Sequence, residues 1–178
     1  YIFEKCNYLT HVNGRWFLKG NKKKISRQFT YLVAQFREEV FKKSTFVKKK
    51  KYNYIIVSRA KSSKRKLLNE LELLKKLKKY KFKLVFFENY SFNDQINIMR
   101  NCKVMIGYHG GGLTNIIFMK PKTAVLEILN KFYDHKLYNF ISKITNVRYK
   151  KFICNKNYKN LDGEANINEI ENYIKKII

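Results

Sequence analysis

The chain has 178 residues and a formal net charge of +26, from 39 basic and 13 acidic side chains. Hydrophobic residues make up 45% of it, which argues against wholesale disorder and suffices for one domain with a real core. No apolar run approaches the roughly 18 residues of a membrane-spanning helix, and no secretory signal pattern opens the chain.

In chain order, the sequence lacks an initiator methionine and starts mid-pattern at Tyr1, so it reads as the C-terminal part of a longer protein. Residues 1–51 read as an N-terminal remnant, with a linking helix over about 26–42 and a lysine-rich connector from Lys42 to Lys51. Phe29, Leu32, Val33, Phe36, Val40 and Phe41 give that helix its three-and-four spacing. Residues 52–178 read as one α/β lobe. Tyr54-Ile55-Ile56-Val57-Ser58-Arg59 is a short continuous apolar run with a polar end, the pattern of a buried parallel strand. Asn69 and Glu72 form a capping-box arrangement before a helix carrying Leu71, Leu74 and Leu77. A second strand is predicted from Phe82 to Phe87, and a helix from Ser91 and Asp94 to about Asn101. Lys103 to Gly107 is the third strand, followed by a glycine loop and a helix from Gly112 to Met119. Ala124 to Leu129 is the fourth strand, 134–145 a helix, and Arg148 to Ile153 the fifth strand. Residues 154–165 read as loop, and a helix from about Asn168 to Ile177 closes the chain.

This alternation predicts a Rossmann-like, doubly wound, mostly parallel five-stranded sheet with helices on both faces. Of the two common strand orders, 2-1-3-4-5 is preferred over 3-2-1-4-5. It puts Ser58 and Arg59 beside the glycine loop, at the carboxyl ends of the strands where ligands bind.

The charge invites a nucleic-acid partner. Yet only 7 of the 39 basic residues are arginine, leaving 32 lysines, and asparagine, isoleucine, tyrosine and phenylalanine are also abundant. These residues share A- and T-rich codons, so composition bias accounts for most of the charge. Base readers also lean on arginine for bidentate contacts. Against that bias, four of the seven glycines fall at Gly107, Gly110, Gly111 and Gly112, shortly before the single proline, Pro121. The cysteines Cys6, Cys102 and Cys154 and the histidines His11, His109 and His135 are scattered, which supports neither a metal site nor a disulfide scaffold.

The stretch Gly107-Tyr108-His109-Gly110-Gly111-Gly112-Leu113-Thr114-Asn115 ends a predicted strand and opens a predicted helix. Glycines there permit positive φ and close backbone approach, and a helix N-terminus suits phosphate. Thr114 adds a hydroxyl donor, and His109 is either a ligand contact or a loop-stabilising residue. The bland alternative is a tight strand–helix turn with no ligand.

The same window resembles family 61 glycosyltransferases, which carry G-P-H-G-A-G-L-T-N followed by F-M-P-P-G-T-A-V-V-E-I. This chain continues Phe118-Met119-Lys120-Pro121-Lys122-Thr123-Ala124-Val125-Leu126-Glu127-Ile128. Upstream, Val57-Ser58-Arg59, Lys64-Arg65 and Leu68-Asn69-Glu70 resemble the family's I-S-R motif, its basic cluster and L-N-E. The likeness covers about residues 54–130, and the departures are Tyr108, Gly111, Lys120 and Lys122. It implies the C-terminal, nucleotide-sugar-binding lobe of a two-lobed GT-B enzyme. It implies inverting transfer of a sugar, typically from a UDP-sugar, to a hydroxyl of a protein or glycan, with no metal or other cofactor. The donor-binding residues it points to are Arg59, His109, Gly110, Gly111, Gly112, Leu113, Thr114, Asn115 and Glu127. Arg59 is read as a diphosphate contact or the partner of a carboxylate, and Glu127 as a ribose contact or the partner of a lysine. Asn115 is read as loop support. The catalytic base is not identifiable and is expected in an N-terminal lobe. The resemblance places a eukaryotic protein of this kind in the secretory pathway behind an N-terminal anchor, and a non-eukaryotic one in the cytoplasm. The rival reading is a basic module that binds nucleic acid or an acidic polymer without catalysis.

Overall fold

The structure, a computed structural model, describes residues 22–47, 52–133 and 136–178, and the backbone alone for 22–28. Cys6, His11 and His135, most of the entry region and the end of the connector lie outside the described residues. The chain divides between Lys42 and Lys43 into two units. Helix α1 (Lys22–Lys43) starts earlier than its predicted bound. Lys42 pairs along it with Glu38 and Glu39, at 3.3 Å each. Among the described residues no helix is long and apolar enough to cross a membrane.

Beyond α1 the five strands are β1 (Tyr54–Val57), β2 (Lys83–Val85), β3 (Val104–Tyr108), β4 (Ala124–Leu129) and β5 (Arg148–Ile153). They form one parallel sheet in the order β2-β1-β3-β4-β5, the predicted order. β3 and β4 are buried at every position, which explains their continuous apolar runs. β5 lies at an edge with Arg148, Lys150 and Lys151 exposed, a placement that blunts edge pairing.

Helices α2 (Glu70–Leu77) and α5 (Ile167–Ile177) cover one face. Leu73, Leu77, Ile170 and Ile174 pack there against Ile56, Ile106, Leu126 and Phe152. Residues one step along each strand, Ile55, Met105 and Val125, point to the other face and are fully buried. Helix α3 (Phe92–Asn101), a 3₁₀ helix (Gly111–Phe118) and helix α4 (Leu137–Ile144) lie between the later strands, the 3₁₀ helix packing against both α3 and α4. A two-stranded hairpin, β6 (Lys156–Asn157) with β7 (Gly163–Glu164), occupies the stretch predicted as loop. Tyr54 packs against the core beside Phe82, ring centroids 5.5 Å apart.

Two helix starts that look alike in sequence behave differently. Ser91 caps α3, its hydroxyl accepting from the Asp94 N–H at 3.2 Å. Asn69 makes no side-chain cap at α2, so the predicted capping box does not form. Its amide instead donates to the Ala165 carbonyl (2.9 Å) and accepts from the Ala165 N–H (3.0 Å). Leu68 N–H to Gly163 O (2.9 Å) and Lys66 N–H to Asp162 Oδ1 (2.7 Å) extend this seam. A tertiary backbone partner has displaced the local one.

Lys122, where the family pattern has glycine, sits at φ 66°, the left-handed region that glycine enters most easily. Exposed lysines lie at both ends of the sheet, Lys83 and Lys103 at one and Lys61 and Lys64 at the other, and on edge and helix alike. They form no single basic face. Burial pushes the Cys154 thiol up to about 11, and Cys102 is likewise buried with its pKa raised, so both remain thiols.

Replacing Asn69 by alanine removes two hydrogen bonds and strands the Ala165 N–H. Denaturant unfolding is expected to show a loss of about 1–3 kcal/mol, above the few tenths expected if Asn69 were an idle cap.

Candidate functional site

The strand order reverses between β1 and β3, and a cleft opens at their carboxyl ends, where Val57 pairs with Gly107. Its volume is about 470 Å³, and Ser58, Arg59, Ser62, Phe87, Gly111 and Asn115 contribute to its walls. That is within the usual range for small-molecule sites.

One wall is the bend after β1. Ser58 is buried, and its hydroxyl donates to Glu70 Oε1 at 2.6 Å and accepts from the Ala60 N–H at 3.1 Å. Glu70 thus holds the turn that carries Arg59, which gives the L-N-E stretch a structural job. The Arg59 guanidinium donates through Nε to the Arg65 carbonyl (3.1 Å) and through Nη2 to Ser62 Oγ (2.9 Å). Among the described residues no carboxylate pairs with it. Burial first, and then the neighbouring Arg65 charge, lower its pKa. The starting value is so high that it remains a cation.

The facing wall is the glycine loop, where Gly107, Gly110 and Gly112 are needed for space, not for a left-handed backbone. No glycine in the described structure lies in the left-handed region, and Gly110 is extended at φ 166°. A Cβ on Gly110 would stand 1.9 Å from Arg59 Nη1, and one on Gly112 would stand 2.9 Å from Val57 Cγ1. At Gly111 a Cβ would meet nothing within 4 Å. The helix predicted to follow is present as a 3₁₀ helix. Its first bond runs from Leu113 N–H to Gly110 O at 2.9 Å. The N–H groups of Gly111 and Gly112 precede it and have no backbone acceptor.

Beneath the loop lies a polar cluster. Glu127 has no solvent exposure, and its two oxygens engage His109 Nδ1 and the Tyr149 hydroxyl. The partner of this carboxylate is therefore a histidine and a tyrosine, not a lysine. His109 is buried, with its ring 4.5 Å from that of Tyr133 and 5.0 Å from that of Tyr138. Tyr138 donates to the Gly110 carbonyl at 2.7 Å, fixing the loop from below. Asn115 donates to Gln95 (3.1 Å), whose amide reaches the Phe87 and Tyr90 carbonyls.

Of the residues singled out in the sequence, Arg59, Gly111, Gly112 and Asn115 line the cleft. Gly110, Leu113, His109 and Glu127 are buried behind it, and Thr114 is exposed outside the lining. Sequence reasoning missed Ser62, Phe87, Tyr138 and Tyr149. Their signal was weak, since tyrosine and phenylalanine recur throughout the chain and these stand outside any motif.

The Glycosyltransferase 61 family model matches residues 14–126. The EGF domain-specific O-linked N-acetylglucosamine transferase of Drosophila melanogaster is 36% identical over 89 residues, which are 48% of this chain and 17% of that protein. The Mus musculus protein of the same name is 32% identical over 90 residues, 48% of this chain and 17% of that protein. The Beta-1,2-xylosyltransferase RCN11 of Oryza sativa subsp. japonica is 29% identical over 89 residues, 50% of this chain and 16% of that protein.

The contrast between neighbouring glycines is testable. Gly110→Ala is expected to displace the Arg59 guanidinium, whereas Gly111→Ala leaves the fold and melting temperature unchanged; crystal structures and thermal melts of both variants check this. Glu70 supplies a pH signature. Burial raises its pKa, against the Ser58 hydroxyl and the Arg59 backbone N–H, which lower it. A carboxyl with a raised native pKa binds more protons folded than unfolded, so its contribution to stability falls as pH rises from about 4.3 through the native value. Glu70→Gln removes that ionisation. Melts between about pH 4 and 7 should show the variant losing less stability with rising pH than the wild type.

Proposed function

The chain belongs to the Glycosyltransferase 61 family, and on that premise we propose that residues 52–178 form the donor-binding lobe of a two-lobed GT-B transferase. The donor is a nucleotide sugar, with UDP as its nucleotide. The sugar passes with inversion to a hydroxyl of a protein or glycan. The relatives' names speak for sugar transfer of this kind, one to EGF domains and one forming a xylosyl linkage. The matched stretches cover only 16–17% of those relatives, so the acceptor site and the base belong, in this reading, to the rest of such a protein.

One observation carries the donor reading. A guanidinium without a carboxylate partner is held against open glycine backbone at the strand-order reversal. As the bond from the sugar's anomeric carbon to the diphosphate oxygen breaks, negative charge grows on the leaving phosphate. Arg59 and the N–H groups of Gly111 and Gly112 are donors already oriented, so they stabilise that charge without reorganising. A planar guanidinium suits phosphate oxygens in particular. The acceptor oxygen attacks the opposite face of the anomeric carbon, which inverts its configuration. The reading calls for no metal.

Calorimetric titration of UDP and UDP-sugars into the full-length protein tests this. The wild type should bind UDP equally with and without EDTA, and Arg59→Ala should weaken it by about 10–100-fold. A folded wild-type protein that gives no heat with any of them overturns the reading.

A further inference from the structure

Lysines lie at both ends of the sheet, but the exposed carboxylates described within residues 43–178 do not. Glu72, Asp94 and Glu169 stand in the first turns of helices, and Glu88 follows β2. All four lie toward the carboxyl ends of the strands, as does half-exposed Glu164 in β7. Glu171, further along α5, is buried and answered by Lys76, Lys79 and Lys175 at 3.4, 2.6 and 3.9 Å. The amino ends of the strands are different. Lys83 opens β2, Lys103 directly precedes β3, Lys122 stands just before β4 and Arg148 opens β5, so four of the five strands begin beside an exposed cation. The register sets these entries along one edge of the sheet, with Val104 opposite Ala124 and Ala124 opposite Arg148. From β2 to β5 that edge spans about 19 Å. Lys81 in the turn before β2 and Lys175 and Lys176 in the last turn of α5 widen it. Among the described residues no carboxylate pairs with Lys81, Lys83, Lys103, Lys122 or Arg148.

Composition bias sets how many lysines the chain carries, but it does not sort carboxylates away from one end. The preference of helix termini for acids first and bases last accounts for Glu72, Asp94, Glu169 and the α5 lysines. It does not account for the strand entries, which belong to no helix. Lys81 and Lys122 each hold left-handed backbone at φ 66°, where glycine is unstrained. Lys120 and Lys122 stand where the family pattern has proline and glycine, so two of the four departures from that pattern add charge at this end. Unpaired like charges repel, and a surface of opposite sign relieves that repulsion.

The array extends in two directions, along the sheet edge and out to the helix ends, as a plane does and a strand-shaped groove does not. It is lysine-rich, and an ammonium group is a hydrated point charge that needs no fixed partner geometry. The exposed rings Phe92, Phe132 and Tyr158, which could stack on bases, stand at the other end of the sheet. A plane of mobile phosphate headgroups matches these properties better than an ordered nucleic-acid strand. We propose that the amino-end edge of the sheet docks on an anionic lipid surface through Lys81, Lys83, Lys103, Lys122 and Arg148. The cleft opens at the carboxyl ends, so a membrane on this edge leaves it clear. Docking of this kind is independent of which donor the cleft takes.

The test is co-sedimentation of the full-length protein with vesicles of phosphatidylcholine alone or of equal parts phosphatidylcholine and phosphatidylglycerol. The wild type should bind the anionic vesicles and not the neutral ones, and rising sodium chloride should release it. The triple variant Lys83→Gln, Lys103→Gln, Lys122→Gln should lose about a hundredfold in partitioning, at about fivefold for each lysine near the surface. The control removes the same charge from the carboxyl end, through Lys131→Gln, Lys136→Gln and Lys159→Gln, and should stay near wild type. Thermal melts of both triples control for folding. Equal losses in the two triples mark a response to net charge alone and overturn the docking edge. Equal binding to both kinds of vesicle, or to neither, also overturns it. Tighter binding to duplex or single-stranded nucleic acid than to anionic vesicles at the same salt overturns the lipid assignment.

Discussion

A carboxyl group with no access to solvent stands in the middle of β4, and the shape of the cleft depends on how its oxygens are met. A carboxyl group buried among Ala124, Val125, Leu126 and Ile128 is tolerated only with partners for its oxygens. Glu127 finds them on both sides, His109 from the loop after β3 and Tyr149 from β5. The His109 N–H also bonds the Ile128 carbonyl at 2.7 Å, so backbone and side chain tie the start of the glycine loop to β4. Tyr133 and Tyr138 pack on the imidazole, and Tyr138 carries the restraint on to Gly110. Removing one partner of such a pair leaves a charge or donor unmatched in the core. The glycine loop is therefore part of the core as much as it is part of the cleft.

That rigidity allows a close approach elsewhere. The Arg59 guanidinium rests against Gly110, where the position of a β-carbon is already filled. A flexible loop would move away from a half-buried cation. This one is fixed from below by Tyr138, while Glu70, Ser58 and Ser62 hold the arginine from its own side. Two elements distant in sequence thus present a guanidinium and glycine backbone to one space. The large lysine content does not contribute in this way, because solvated charges spread over the surface attract anions without orienting them.

Much of the fold was legible because buried parallel strands leave a plain signature. β4 has the bounds that its apolar run suggested, β5 has its predicted bounds although it is a largely exposed edge strand, and the strand order follows from the reversal beside the glycine loop. The readings that failed share one cause. Asn69 looked like a helix cap and residues 154–165 like plain loop, whereas each is shaped by segments remote in sequence. Asn69 bonds a residue 96 positions away, and the Tyr138 hydroxyl reaches back 28 positions to Gly110. Local propensity carries no record of such partners. Within the site the same division holds. The motif positions that line the cleft, Arg59, Gly111, Gly112 and Asn115, were visible, whereas the tyrosines that fix them were hidden among abundant aromatics.

The sequence by itself determined the α/β class, the parallel sheet and its order, and the meeting of the β1 end with the glycine loop. Strand burial and turn chemistry are encoded within a few neighbouring residues, so these follow from local pattern. Only the tertiary structure decided that Gly107, Gly110 and Gly112 serve close packing and not a left-handed backbone, and that Glu127 holds His109 and Tyr149. It alone decided that Arg59 and Arg65 share one bend, with the Arg65 carbonyl accepting from Arg59 Nε. Those outcomes depend on distances between side chains from different elements, which exist only once the sheet has assembled.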